Sequence, residues 1–399
     1  MNLAVTIDHR FDRTPDGAMW TMTTFTHDFW QRYLTVFEHV RVVARVRDVE
    51  SVAPNRTRCD GEGVSFALVP YYFGPWQYLQ QAWRVQRAAR NAIAAEDAVI
   101  LRVQGQISSC VRPMLRRTSH PYGVEVVGDP YDAFATGFIT HPLRPFLQWW
   151  LPRRMREQVA SACAAAYVTE HTLQRRYPPA PDAFTTHYSS IVLPEEAFVS
   201  APRAQSAGQR PFNLIIVGTL DNLSKGPDML IDAVAACVRE GLDLDLVLVG
   251  GGRYQQSLEA QATALGLGGR VRFLGWLSAG EAVRDQLDQA DLFIMPSHQE
   301  GLSRATIEAM ARALPCIVSD VGGAAELLPP EDMVPRGDAG ALARKICEVL
   351  ANPGRMARMS ARNLEKAREY REEVLSKRRT EFYRYVRQRT EEWLKASGR

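Results

Sequence analysis

Short runs of Val, Ile and Leu alternate with longer amphipathic stretches along most of the chain, and this alternation constrains the fold more than any other feature. Continuous apolar runs are what strands buried on both faces require, so the pattern predicts parallel sheets covered by helices. In the N-terminal half, strands are expected at residues 2–7, 40–46, 64–69, 98–103, 124–128 and 165–169, with helices over 78–95 and 144–163. In the C-terminal half, strands are expected at 213–218, 244–249, 270–274, 291–295 and 316–319. Helices are expected there at 227–240, 253–265, 280–289, 303–314 and 338–351, and beyond Pro353 the chain reads as helix almost to its end. A length of 399 residues exceeds one ordinary core. Residues 194–211, rich in proline and small residues and without periodicity, read as a linker. The expected fold class is α/β: two Rossmann-like parallel-sheet domains, 1–200 and 211–375, facing across a central cleft, with a C-terminal helix at 376–399. Ligands of such sheets bind beyond the carboxyl ends of the strands.

Charge excludes little by its sum. Lys and Arg number 48 against 45 Asp and Glu, an excess too small to imply nucleic-acid binding. Six cysteines, at 59, 110, 163, 237, 316 and 347, lack metal-ligand spacing and read as reduced core thiols of a cytoplasmic protein. The first residues lack the pattern of a signal peptide, and no apolar run reaches the ~18 residues of a membrane span. Arginines cluster at 112, 116 and 117, and again at 144, 153, 154 and 156 around Trp149 and Trp150. The second cluster reads either as a basic, aromatic surface for an anionic bilayer or as a core helix with one basic face. The basic C-terminal tail also carries glutamates and reads as a solvated helical face.

Four segments of the C-terminal half carry candidate chemistry, each after a strand. In Val217-Gly218-Thr219-Leu220-Asp221-Asn222-Leu223-Ser224-Lys225-Gly226, Lys225 precedes a helix N-terminus. A cation is disfavoured there, and a bound anion resolves the conflict; a solvated lysine beside a turn is the plainer alternative. Gly250-Gly251-Gly252 allows close approach of a phosphorylated ligand or is simply a tight turn. Val271-Arg272-Phe273-Leu274-Gly275 could line a nucleobase slot through Leu274 or be ordinary core. The fourth segment is Met295-Pro296-Ser297-His298-Gln299-Glu300-Gly301-Leu302-Ser303-Arg304-Ala305-Thr306-Ile307-Glu308. Ser303 is the expected N-cap. Glu308 then lies about five residues inside the helix, roughly 7–8 Å along its axis at ~1.5 Å per residue. Glu300 stands outside the helix mouth, and between the two carboxylates are the free N–H groups and positive dipole end of an anion site. A nucleotide-sugar, with hydroxyls at both ends of a diphosphate, suits that order.

These residues resemble family 4 glycosyltransferases, the large retaining group of GT-B architecture, over about 212–351. The family's E-x7-E motif matches Glu300 to Glu308, and its phosphate loop resembles Gly218 to Gly226. Its two glycine-bearing strand ends match 249–252 and 271–275, and Ser319 to Glu326 is also similar. Segment 123–134 resembles members that assemble bacterial surface polysaccharides. Three departures stand out. Thr219 replaces a diphosphate-binding arginine, so that either Arg304 supplies the charge or Lys225 acts with backbone N–H groups alone. Leu302 replaces an aromatic residue, and Gly128-Asp129 stands where many relatives have a histidine near the reacting sugar. Asp129 is thus a candidate for contacting sugar or acceptor, or else an Asx turn before Pro130. Gly105 follows a strand and is a candidate for lining the cleft; Gly17 marks a candidate acceptor-side loop.

The resemblance implies retention at the anomeric carbon without a metal or other cofactor, and a last helix that crosses back to the first domain. Asp243-x-Asp245 precedes a strand and reads as a turn, not a metal motif. Lys225, Glu300 and Asp129 are the candidate catalytic residues. Gly218, Thr219, Gly250, Gly252, Leu274, Gly301, Leu302, Ser303, Arg304 and Glu308 are the candidate donor contacts. The expected partners are a nucleoside-diphosphate sugar, a glycan or polyprenyl-linked acceptor and an anionic membrane surface, with no nucleic acid. The expected location is the cytoplasm, peripheral on the inner face of its membrane. A nucleotide-sugar epimerase of similar architecture and a non-catalytic nucleotide-sugar-binding partner are the alternatives; product analysis separates them.

Overall fold

The computed structural model describes the chain except for residues 54, 104, 136–143, 204–210, 279 and 399 and the side chains of 133–135. Part of the expected linker, 204–210, therefore lies outside the described residues. The chain divides into two compact units. Unit 1 comprises Met1–Pro130, Phe146–Tyr188 and Ser376–Arg399; unit 2 comprises Tyr131–Pro145 and Ser189–Leu375.

Unit 1 is built on strands β1 (Asn2–Arg13), β2 (Met19–Thr21), β3 (His39–Asp48), β4 (Thr57–Arg58), β5 (Val64–Pro70), β6 (Ala98–Val103), β7 (Gly123–Val126), β8 (Ala164–Tyr167) and β9 (Phe184–His187). The parallel order is β5-β3-β1-β6-β7-β8-β9, with β2 and β4 added antiparallel at the far end of β1. β6 and β8 are wholly buried, which is why they read as apolar runs, broken in β6 only by Arg102. The extension of β1 to Arg13 escapes that pattern because a register shift between Thr6 and Arg10 interrupts it. Gly17, at φ 86°, lies in the turn joining β1 to β2.

The unit's helices are α1 (His27–Leu34), α2 (Gly74–Asn91), α3 (Gln106–Arg117), α4 (Pro130–Ala135, at the boundary), α5 (Arg144–Ala160) and α6 (Thr172–Arg176). Helices α2, α3 and α5 share one core with one sheet face, through Val85, Ile107, Val111, Met155 and Val159. The other face holds a buried polar cluster. Glu125 pairs with Arg102 and accepts from the hydroxyls of Tyr33 (3.0 Å) and Tyr188 (2.8 Å).

Unit 2 has strands β10 (Phe212–Val217), β11 (Leu244–Val249), β12 (Val271–Phe273), β13 (Leu292–Met295), β14 (Cys316–Ser319) and β15 (Met333–Val334), in the all-parallel order β12-β11-β10-β13-β14-β15. Its helices are α7 (Pro227–Arg239), α8 (Gln255–Ala264), α9 (Glu281–Gln289), α10 (Arg304–Ala311), α11 (Ala324–Leu327), α12 (Ala339–Leu350) and α13 (Pro353–Ala367). The proline-rich stretch before 204 is packed onto this unit: the Arg203 guanidinium donates to the carbonyls of Ala290 (2.6 Å), Arg312 (2.8 Å) and Leu287 (2.9 Å). Helix α14 (Glu372–Ala396) then belongs from Ser376 to unit 1. There the Tyr383 ring lies 4.7 Å from that of Tyr33, tilted by 34°, and Arg387 donates to the Val36 carbonyl at 2.7 Å.

Candidate donor site

In unit 2 the strand order runs outward in both directions from the β10–β13 pair. The connections after these two strands therefore leave on opposite faces of the sheet, and the crevice between them is where open α/β sheets bind ligands. The loop after β10 carries Gly218 to Gly226, and the loop after β13 carries Pro296 to Ser303. The two are stitched together, His298 N–H donating to the Ser224 carbonyl at 2.7 Å. Gly226, at φ 69°, is the first requirement: a Cβ there would sit 2.2 Å from the Pro296 oxygen. The loop after β14 adds the second. Gly322, at φ 53°, lies so close that a Cβ would come within 2.1 Å of the Glu300 oxygen, and Gly323 N–H donates to the Gly301 carbonyl at 2.8 Å.

This frame brings Lys225 and Glu300 together. Lys225 Nζ lies 2.5 Å from Glu300 Oε1, with the side chains 26% and 11% exposed. Ser297 Oγ donates to the same oxygen at 2.7 Å. The cation at the head of α7 is thus balanced by a carboxylate from the next loop, and that carboxylate is also what a bound anion would compete with. Ser297 was not singled out from the sequence; a hydroxyl three residues before a loop glutamate was the signal available. A recess beside Glu300 is lined by Met295, Ser303, Thr306, Val318 and Ser319. The buried Ser319 Oγ has no protein hydrogen-bond partner there.

Ser303 caps α10, its hydroxyl accepting from Thr306 N–H at 3.3 Å. Leu302 is buried, Arg304 is exposed and Glu308 is half-buried one turn beyond. Burial pushes the Glu308 carboxyl above its ordinary range, opposed by the charges of Arg304 and Arg284. On the other flank, Gly218 N–H donates to the Val249 carbonyl at 2.9 Å, Gly250 N–H to Gly275 at 2.8 Å, and Leu274 N–H to Leu248 at 3.0 Å. Gly252 accepts from Gln255 N–H at 3.1 Å, and the Thr219 hydroxyl accepts from Asp221 N–H at 3.1 Å. Thr219 is therefore a turn residue on the site's rim.

Asp129 belongs to unit 1, after β7. Its carboxylate is buried, accepts from the Tyr177 hydroxyl at 2.5 Å and pairs with Arg176. Those contacts give it a role in holding α6 to the sheet. Gly105 is the residue before α3, whose first N–H, from Gln106, donates to Asp8 at 2.9 Å. Asp243 pairs with Arg270 at 2.6 Å beside the amino end of β11, away from the carboxyl-end loops. Among the described residues no three His, Cys, Asp or Glu side chains gather into a group that could hold a metal ion. No described helix is long and apolar enough to cross a membrane.

Residues 211–352 match the family model for glycosyl transferases group 1. Over 324 residues the chain is 26% identical to Protein CapJ of Staphylococcus aureus, covering 78% of each chain. Over 215 residues it is 30% identical to a GDP-mannose-dependent monoacylated alpha-(1-6)-phosphatidylinositol monomannoside mannosyltransferase of Corynebacterium glutamicum, covering 49% of this chain and 55% of that protein. Sucrose-phosphate synthase from Thermosynechococcus elongatus superposes with a TM-score of 0.70 at 19% identity, covering 97% of this chain and 99% of that one. The fold is GT-B, with two Rossmann-like units.

Proposed function

We propose that this chain, whose residues 211–352 form a group 1 glycosyltransferase domain, moves a sugar from a nucleoside-diphosphate donor to a glycan or lipid-linked glycan acceptor, with retention and without a metal. The observation that carries the reading is the Lys225–Glu300 contact at the β10–β13 switch point, beside the capped start of α10. Bond cleavage at the anomeric carbon leaves negative charge on the β-phosphate. Lys225 Nζ and the first N–H groups of α10 are donors fixed before that charge develops, the arrangement that lowers a barrier without reorganisation. They supply the positive charge that other transferases take from a divalent cation. Glu300, released from Lys225 when the diphosphate takes the lysine, accepts from sugar hydroxyls, and Glu308 accepts from the ribose.

The relatives support the acceptor class: one is named for a phosphatidylinositol mannoside. A lipid-linked acceptor puts the reaction on a membrane face. The deciding experiment is a thermal-shift panel of nucleoside diphosphates and their sugars, since a ligand that binds the folded chain raises its midpoint by mass action. One base with its cognate sugar should stand out, and its shift should survive EDTA. Transfer to acceptor with the product anomer read by NMR then tests retention. A panel without any shift, or a product of inverted configuration, overturns the corresponding part.

A further inference from the structure

Helix α2 buries one set of apolar residues and exposes another. Val85 and Ala89 are buried in the unit 1 core. Trp76 and Leu79 precede the non-helical Gln81 (φ −129°, ψ 18°) that breaks the helix, Trp83 follows it, and Phe73 stands just before the first turn. They are 75%, 63%, 62% and 60% exposed, respectively. A helix resting on one core ordinarily turns a polar face outward. Four such side chains leave on the order of 500 Å² of apolar surface in water, at the upper end of what a soluble monomer shows without a use for it.

The charge beside this stripe is one-sided. α2 and α3 each carry three arginines and no acidic residue, and α5 from Phe146 onward carries three more against the single Glu157. The three helices form one layer: Gln106 Nε2 of α3 donates to the Tyr78 hydroxyl of α2 at 2.5 Å, and Gln158 Nε2 of α5 to Ser109 of α3 at 3.1 Å. The whole chain has an excess of only +3, so the remainder is net acidic. On α5 the exposed Trp149 lies under Arg153 at 5.6 Å, and Trp150 under Arg154 at 4.4 Å.

We propose that the α2–α3–α5 layer docks on an anionic lipid bilayer, with Trp76, Leu79 and Trp83 seated at the boundary between headgroups and acyl chains and the arginines on the lipid phosphates. Indole rings favour that boundary, and a basic, acid-free rim around an apolar stripe complements anionic headgroups. The inference names the surface that a lipid-linked acceptor would require. It uses no residue of the donor site, so the two readings fail separately.

The test is flotation of the full chain with vesicles of phosphatidylcholine alone and with a minority of phosphatidylglycerol. Parent protein should float with the second and not the first, and added salt should weaken binding. Trp76→Ser with Trp83→Ser should weaken partitioning at least about tenfold, and Arg84→Glu with Arg87→Glu should remove the preference for anionic vesicles. Both variants should keep the parent's thermal midpoint and its shift with nucleoside diphosphate, which reports folding. Equal binding to both vesicles, or Trp variants that float like the parent, overturns the proposal. So does light scattering that shows the Trp variants turning a dimer into a monomer, for the stripe is then a contact between copies of this chain. If no diphosphate shifts the parent while flotation holds, the donor reading falls and the docking surface stands.

Discussion

Removing the Lys225 ammonium separates two effects of different size. In Lys225→Ala the Glu300 carboxylate, 11% exposed, keeps Ser297 as its one side-chain partner among the described residues. A nearly buried acceptor deprived of its partner costs about 1–3 kcal/mol. At roughly 2–4 °C per kcal/mol for a unit of this size, the thermal midpoint should fall by several degrees and the protein should stay folded at 25 °C. Losing a fixed donor to a developing oxyanion is expected to cost about 10²–10³ in turnover, or ~3–4 kcal/mol. The assay is release of nucleoside diphosphate at saturating donor, with the midpoint measured on the same preparation. Glu300→Gln should show a comparable loss of turnover with a smaller change in stability, because the neutral amide still accepts from both partners. Since the two side chains touch, the double variant should lose less than the product of the single losses. Should both single variants turn over at close to the parent rate, the assigned site is wrong.

Other perturbations test the frame around that pair. Gly322→Ala puts a Cβ at a positive φ against the Glu300 carbonyl, so donor KM should rise and turnover fall by at least about tenfold, as steady-state kinetics would show. Glu308 has a folded pKa raised by burial. The folded state therefore holds its proton more tightly than the unfolded chain, and stability falls as pH rises from the unfolded value near ~4.3 through the folded one. Glu308→Gln should flatten that decline in midpoints measured from pH 4 to 7, and an unchanged decline would assign it to another group. Burial and the charges of Arg10 and Arg45 lower His9 to about 4. Its contribution to stability is full above ~6.5 and lost as pH falls toward about 4, so His9→Gln should resist mild acid better in the same scans. Glu125→Ala strands the buried Arg102 guanidinium and should cost about 3–5 kcal/mol in urea unfolding.

Much of this architecture is legible in the sequence, for a physical reason. Strands buried on both faces are largely apolar, so β6, β11, β13 and β14 announce themselves within a residue of their ends. β9 and the pair β2–β4 do not, because they are short and lie at the sheet's margin, with β4 and β9 open to water. α3 hides behind Pro113 and a run of arginines. In the donor site, the cap at Ser303 and the glycine positions follow from local chemistry. The approach of Lys225 to Glu300 does not: it depends on which strands are neighbours, and sequence spacing is silent on that. Asp129 is similar: its place at a strand end is legible, but its bond to Tyr177, 48 residues further on, is not. The exposed Trp76, Leu79 and Trp83 of α2 escape a sequence reading because Val85 and Ala89 already give that helix a buried side.

The path of α14 bears on how the chain is made. Unit 1 is complete only when Tyr383 and Phe382 reach the sheet face that Tyr33 and Tyr188 already occupy. Those residues leave the ribosome after all of unit 2, roughly 10–40 s behind the rest of unit 1 at about 5–20 residues per second. During that interval the N-terminal sheet carries an uncovered face with Glu125 and Arg102 open to water, while unit 2 already has every strand it needs. The unit that begins the chain is thus the last to finish folding, and until then its half-formed sheet is a natural client for chaperones.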